Sequence, residues 1–319
     1  MRIPEPEDVR VAAERLRGAA TRTPVFTSRV LNAQVDAEVF CKAEMFQRTG
    51  SFKFRGAWNA LSALDAATRA RGVLTWSSGN HAAALAAAGQ LLTTPVTVVL
   101  PKNALAFKRA AVEGYGAEII PCEPAEREEV GHRLAEERGL TIIPPYDHDD
   151  VIAGQGTAAL ELIEDFGPFD LLLTPIGGGG LLAGSCLAAA LGDPAPRVYG
   201  AEPEIADDAA RSLAAGVIVE LLEMPPTVAD GLRTRFIGER NFAILRARAA
   251  GIVTVSERSI LEATRFLWMR MKLLAEPSGA LPIAALLEGK IDVRGKRVGV
   301  ILSGGNADPV DVGARFGAL

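Results

Sequence analysis

From residue 72 onward, short apolar runs alternate with helix-like spans, and this order limits the fold more than any other feature. Residues 72–76, 95–100, 117–121 and 140–143 read as strands, with helices near 82–91, 104–113 and 125–138 between them. After a polar loop at 146–150 the alternation resumes. A helix at 156–165 and a strand at 171–175 lead to four glycines that open another helix. Later strands read at 197–201, 252–255 and 297–302, with helices around 206–214, 257–273 and 278–287. Upstream, 7–16 reads as a helix and 37–44 as a strand. Strands joined through helices pair in parallel. The expectation is an α/β chain with two open, mostly parallel sheets flanked by helices. A small domain, residues 51–146, is inserted in a large one made of 1–50 and 147–319.

The stretch Gly50-Ser51-Phe52-Lys53-Phe54-Arg55-Gly56-Ala57 stands apart chemically. A helix reads from about 52 to 64, with Ser51 where an N-cap belongs. Lys53 and Arg55 then fall in the first turn, where the helix dipole favours acids over cations. A lysine placed against that preference and partly buried can give up its proton. The neutral amine is a nucleophile able to form a Schiff base. The alternative is a solvated surface lysine.

Composition removes several classes of function. The 319 residues carry a net charge of -5, and no basic stripe interleaved with aromatics suggests a nucleic-acid partner. No apolar run reaches membrane-spanning length, and the first residues lack the apolar stretch of a signal peptide. Cys41, Cys122 and Cys186 have no CxxC spacing, so reduced, buried thiols in a cytoplasmic protein are expected.

Three polar or glycine-rich turns follow strands: Ser77-Ser78-Gly79-Asn80-His81, Gly177-Gly178-Gly179-Gly180 and Ser303-Gly304-Gly305-Asn306. Ligands of open parallel sheets bind at the carboxyl ends of strands, so all three can face one crevice. Consecutive glycines at a helix start bare backbone N–H groups to a phosphate. Gly178, Gly180 and Ala183 also fit a dinucleotide fingerprint, with Glu202 in the place of a ribose-binding acid. That reading makes the chain a nicotinamide-dependent dehydrogenase, but it explains neither the Lys53 stretch nor the Ser77–His81 turn. No G-x-S-x-G elbow surrounds a serine, which argues against a Ser-His-Asp hydrolase.

The stretches GSFKFRGA, SSGNHAAA, IGGGGLLAG, AEPEIADDA, AEPSGA and SGGN stand in an order and spacing that resembles the serine/threonine dehydratase and serine racemase family. These are fold-type-II enzymes, similar to the tryptophan synthase β chain, that use pyridoxal 5′-phosphate (PLP). The resemblance implies that Lys53 is the Schiff-base lysine and Phe52 packs on the cofactor ring. Asn80 is implied at the ring hydroxyl, Gly177, Gly178, Gly179 and Gly180 at the phosphate, and Ser303 at the pyridine nitrogen. Ser77, Ser78, Asn80 and His81 are implied at the substrate carboxylate. Ser78 is also the implied proton donor on the face opposite Lys53, which permits racemisation without requiring it. Ala83 stands where the family often has glutamine.

The resemblance further implies a divalent cation (Mg²⁺, Ca²⁺ or Mn²⁺) on Glu202, Asp208 and the Ala206 carbonyl, hard oxygen donors of the kind such ions prefer. The competing view is that Asp207 and Asp208 cap a helix. The expected reaction is β-elimination from L-serine, L-threonine or a related 3-hydroxy amino acid, giving a 2-keto acid and ammonia. An amino-acid racemase is the alternative within the family, and a ligand-binding protein without turnover lies further off. A homodimer is implied, and feedback control by an end-product amino acid is not. Arg233 or Arg127 is available for a second carboxylate such as that of 3-hydroxyaspartate, unless both are surface charge.

Overall fold

A computed structural model of the chain describes residues 2–77, 79–104 and 106–318. Among them ten strands form two sheets: β1 (Val25–Phe26), β2 (Glu38–Ala43), β3 (Val73–Trp76), β4 (Val96–Pro101), β5 (Glu118–Cys122), β6 (Thr141–Ile142), β7 (Leu171–Pro175), β8 (Arg197–Pro203), β9 (Gly251–Val255) and β10 (Arg297–Leu302). The larger sheet runs β1-β2-β10-β7-β8-β9, parallel except for the β1–β2 pair. The smaller sheet runs β5-β4-β3-β6 and is parallel throughout. All its strands come from the chain between β2 and β7. No helix of the described residues is long and apolar enough to cross a membrane.

Parallel strands covered by helices on both faces are buried on both faces, and their sequences show it. Leu171, Leu172, Leu173, Val298, Val300 and Ile301 are all buried, and they divide between two apolar layers on opposite sides of the larger sheet. The smaller sheet has its own core. There the alanine-rich helix Asn80–Leu92 lies on Val73, Val98 and Leu100. Its small side chains bring the helix axis close to the strands, and a Cβ on Gly89 would overlap Val96.

A central helix, Asp149–Phe166, joins the pieces that matter for chemistry. The expected helix at 156–165 begins seven residues earlier in the structure, and Gly154 and Gly156, poor helix formers, lie inside it rather than at its start. They are contact points. A Cβ on Gly154 would lie 2.5 Å from the Arg55 carbonyl, and one on Gly156 would lie 2.5 Å from that of Gly184. Backbone-to-backbone approach of this kind locks the helices Lys53–Ala63 and Gly180–Ala189 against the central one. The expected single helix at 257–273 also changes: its α-helical part ends at Phe266, and a wider turn, Leu267–Met271, carries the chain to Lys272 at a positive φ of 61°. Short helices at Arg29–Val35, Ala66–Arg71, Glu239–Arg248 and Pro309–Arg315 have too few periodic residues to show in the sequence.

Candidate active site

The Lys53 turn is built by long-range contacts rather than by a cap. Ser51 is not the N-cap expected of it; Phe52 occupies that position and makes no side-chain capping bond. Ser51 instead pairs with Gly304 in an antiparallel bridge. The Phe52 N–H donates to the Ser303 carbonyl at 3.0 Å, and the Gly305 N–H to the Gly50 carbonyl at 3.0 Å. Residues near the two ends of the chain are thereby zipped together, and Lys53 and Ser303 line the same cleft.

That cleft, about 1510 Å³, opens between the two sheets. Its walls bring together Phe52, Lys53, Ser77, Asn80, His81, Gly177–Gly180 and Ser303, the residues expected at the cofactor and substrate that lie among the described ones. Ser78 lies outside the described residues.

Lys53 Nζ donates to the Pro145 carbonyl at 2.7 Å and stands 5.1 Å from the Phe52 ring centre. Burial pushes this amine down to about 8, against the pull of Glu276. Asn80 donates from Nδ2 to Glu276 Oε1 at 2.8 Å, while its Oδ1 accepts from Asn306 Nδ2 at 3.0 Å. Each amide orientation is thus fixed by a partner, and Asn80 keeps one Nδ2 hydrogen free. Burial, with Asp230 nearby, raises Glu276 to about 7, and its Oε2 is buried without a partner.

The glycine turn is shaped by crowding. Cβ atoms on Gly178 and Gly179 would run into the Tyr146 ring and into Asn241 with Ile237. Gly179, at φ 97°, is also the N-cap of the next helix, a conformation that side chains other than glycine rarely adopt. The backbone N–H groups at that helix start therefore face the cleft unobstructed by side chains of their own.

His81 departs from its implied role. Its Nε2 lies 3.1 Å from the Ile143 carbonyl, which makes that nitrogen the protonated one. Burial, followed by Lys53, holds the ring at about 3, so it is neutral, and Nδ1 carries no hydrogen for a carboxylate. Ser77 Oγ accepts from the Gly79 N–H at 3.3 Å and so shapes the turn as well as lining the cleft.

Glu202, Ala206 and Asp208 do not line the cleft. Glu202 is the penultimate residue of β8, is 1% exposed, and accepts from the Ala210 N–H at 2.7 Å. It is absent from the cleft that holds the glycine turn, and its carboxylate is engaged by a helix N–H, which argues against a role as a ribose ligand.

Comparison with known proteins decides among the readings. Residues 16–304 match the family described as pyridoxal-phosphate dependent enzyme. The chain belongs to that family. It is 50% identical over 310 residues to an L-threo-3-hydroxyaspartate ammonia-lyase of Pseudomonas sp., covering 97% of each chain. It is 46% identical to the serine racemase of Schizosaccharomyces pombe, covering 96% of this chain and 95% of that one. The structure of maize serine racemase superposes with a TM-score of 0.94 at 38% identity, over 99% of this chain and 98% of the other. The chain is therefore a fold-type-II PLP enzyme of the ammonia-lyase and racemase group, and the nicotinamide reading falls.

The residues present fit PLP. Ser51 Oγ, Gln155 Oε1, Thr234 Oγ1 and Glu276 Oε2 are buried polar atoms without partners, and they border the amine, the glycine turn and the cleft wall. In this PLP enzyme, sequence reading passed over Glu276, Asn306, Tyr146 and the ion pair of Lys108 with Asp230. The motifs AEPSGA and SGGN contained the first two, but nothing local gave them a task.

Proposed function

We propose that this enzyme removes water from a 3-hydroxy amino acid, whether L-serine, L-threonine or a relative such as L-threo-3-hydroxyaspartate, and releases a 2-keto acid and ammonia. The observation that carries the reading is Lys53 Nζ. It is half-buried, held at about 8, and bonded to a carbonyl rather than a carboxylate, in a cleft that also holds the glycine turn.

PLP, when bound, supplies the electron sink that makes the substrate Cα–H acidic. Lys53 Nζ would hold the cofactor and then take that proton. Phe52 would pack on the ring, Asn80 would use its free Nδ2 hydrogen at the ring hydroxyl, and Gly177–Gly180 would receive the phosphate. Ser303 would meet the ring nitrogen with a neutral hydroxyl, which does not hold that nitrogen protonated. Ser77 and the N–H groups opening the helix Asn80–Leu92 would bind the substrate carboxylate. In sum, the Cα–H and Cβ–O bonds break and water departs. Hydrolysis of the freed enamine gives the keto acid and ammonia.

Arg127 is the better candidate for a distal carboxylate. It lines the cleft and has no ion pair or hydrogen-bond partner among the described residues. Arg233 lines the cleft too, but its Nε and Nη2 are taken by the Thr227 carbonyl at 3.0 and 2.7 Å. The ammonia-lyase of Pseudomonas, named for a dicarboxylic substrate, supports this assignment.

A divalent cation on Glu202, Asp208 and the Ala206 carbonyl is part of the same proposal. Asp208 Oδ2 is buried without a partner, and burial raises both carboxyls, Asp208 to about 7. Asp207 makes no capping bond to the helix that follows; within this cluster it is Glu202 that accepts from that helix's first turn, at the Ala210 N–H, while Asp208 Oδ2 is left for the cation. Homodimeric assembly in the cytoplasm remains part of the proposal.

A panel of L-serine, L-threonine and L-threo-3-hydroxyaspartate, assayed for keto-acid release, tests the reaction; turnover of none of them contradicts it. Racemisation is the second reading, favoured by the 46% identity to a serine racemase. Ser78→Ala should abolish racemisation and spare elimination, and equal loss of both would refute the two-face assignment.

A further inference from the structure

Behind the Lys53 turn lies a cluster of buried charge that the proposed reaction does not use. Arg55 follows Lys53 by two positions, about 200° round the helix, so it leaves the side of the turn away from the cleft. Its guanidinium is fully buried. Nε and Nη2 donate to Glu44 Oε2 and Oε1 at 2.7 and 2.8 Å, and Nη1 and Nη2 to Glu161 Oε1 and Oε2 at 2.7 and 2.8 Å. Thr157 Oγ1 accepts a further bond at 3.2 Å. Lys42 donates to Glu161 Oε2 at 2.6 Å and to the Thr23 carbonyl at 2.8 Å, and Thr23 Oγ1 donates to Glu44 Oε1 at 2.5 Å. Two cations meet two carboxylates, and the cluster is neutral.

The helix needs such a hold. It opens with Lys53 and Arg55, has no acid in its first turn and no capping side chain, the conditions under which a helix end frays. A guanidinium forked between two carboxylates is rigid in orientation as well as strong. Glu161 stands on the central helix, and the loop leading into that helix carries Pro145, the acceptor of Lys53 Nζ. One segment therefore grips the turn from the front and from behind.

We propose that Arg55, clamped between Glu44 and Glu161, is a positioning residue that fixes the first turn of its helix and so holds Lys53 Nζ at its place in the cleft. This rests on the reading of Lys53 as the cofactor-bearing amine. Arg55→Lys keeps the charge, but one ammonium cannot span both carboxylates.

In the PLP-loaded variant, borohydride should still fix a pyridoxyl mass on Lys53. The kcat for keto-acid release should fall tenfold or more while KM changes less than threefold. In the apo-protein, hydrogen exchange should quicken at least tenfold in the peptide spanning 51–57 and stay unchanged in β7 and β10. Wild-type kcat and wild-type exchange at 51–57 would overturn the proposal whatever the melting temperature, and so would a rise spread evenly over the chain. If Arg55→Lys does not fold, Glu161→Gln takes its place, leaving Arg55 on Glu44, with at least a threefold loss of kcat and the same local exchange expected; wild-type values there overturn the clamp. If wild-type Lys53 carries no pyridoxyl mass, the functional reading fails, and the clamp is then judged on exchange alone.

Discussion

Lys42 and Lys53 are both withdrawn from water, and the protein treats them in opposite ways. Lys42 is fully buried and lies on Glu161 and the Thr23 carbonyl, so a carboxylate offsets much of what burial does to its charge. Lys53 has a carbonyl in reach and only the distant pull of Glu276, and burial takes it down to about 8. The same side chain is a strut where an anion faces it, and where none does its amine is held close to neutrality, as the proposed role of Lys53 requires. Other buried or half-buried charges divide in the same way. Lys108 is paired with Asp230 in the cleft wall, whereas Arg127 has no partner among the described residues. Glu44 and Glu161 have cations on them, whereas Glu202 and Asp208 have no ion pair among the described residues. Paired charge holds this protein together, and in the proposed function the unpaired charges are the groups that bind or react.

Replacing each lysine should break the comparison open most widely. Lys53→Ala should lower kcat by a factor of at least about 10³ and remove the borohydride label, since the base and the cofactor anchor go together. Lys42→Met should keep the label but unfold more readily, by about 3–5 kcal/mol in urea titration, because Arg55 alone is left to face two buried carboxylates. Loss of the label in folded Lys42→Met would erase the distinction. Next, Arg127→Gln should raise KM for L-threo-3-hydroxyaspartate about tenfold, or about 1.4 kcal/mol, and leave KM for L-serine within twofold. Equal changes for both substrates would place Arg127 with the ordinary surface cations.

The pH dependence sharpens the contrast further. A free lysine titrates near 10.4 when unfolded, so between about pH 8 and 10 the unfolded chain binds more protons at Lys53 than the folded apo-protein does. Stability of the apo-protein should therefore rise with pH across that window relative to Lys53→Met. Capture of added PLP, followed by absorbance, should speed up towards pH 8 and then level off. A capture rate flat from pH 6 to 9 would show an amine without the lowered pKa. The smallest effect expected is at the acids. Added Mg²⁺ should raise the melting temperature of the wild type by a few degrees, about 1 kcal/mol for a chain of this size, and do nothing to Asp208→Asn. Equal shifts in both proteins would exclude the cation site.

What was legible in the sequence follows the same physics. The β-α order, the glycine turn and the lysine flanked by Phe52 and Phe54 are local patterns, and each stands where the spacing put it. Contacts made across the chain were not legible. Asn80 meets Glu276 at a separation of 196 residues, and Arg55 meets Glu161 at 106. No local periodicity distinguishes Glu161 from a solvated acid on a helix face. Ser51 was misread for the related reason that a serine before a helix reads as a cap, while here the strand-like pairing with Gly304 claims it. His81 is implied as a ligand by the resemblance alone; only the fold shows its proton spent on the Ile143 carbonyl.

Reduction of the PLP-loaded protein with borohydride, followed by peptide mapping, bears most directly on the unpaired amine. A pyridoxyl mass confined to the peptide that contains Lys53 is the predicted result. The same mass on Lys42, on any other lysine, or on none would contradict the account.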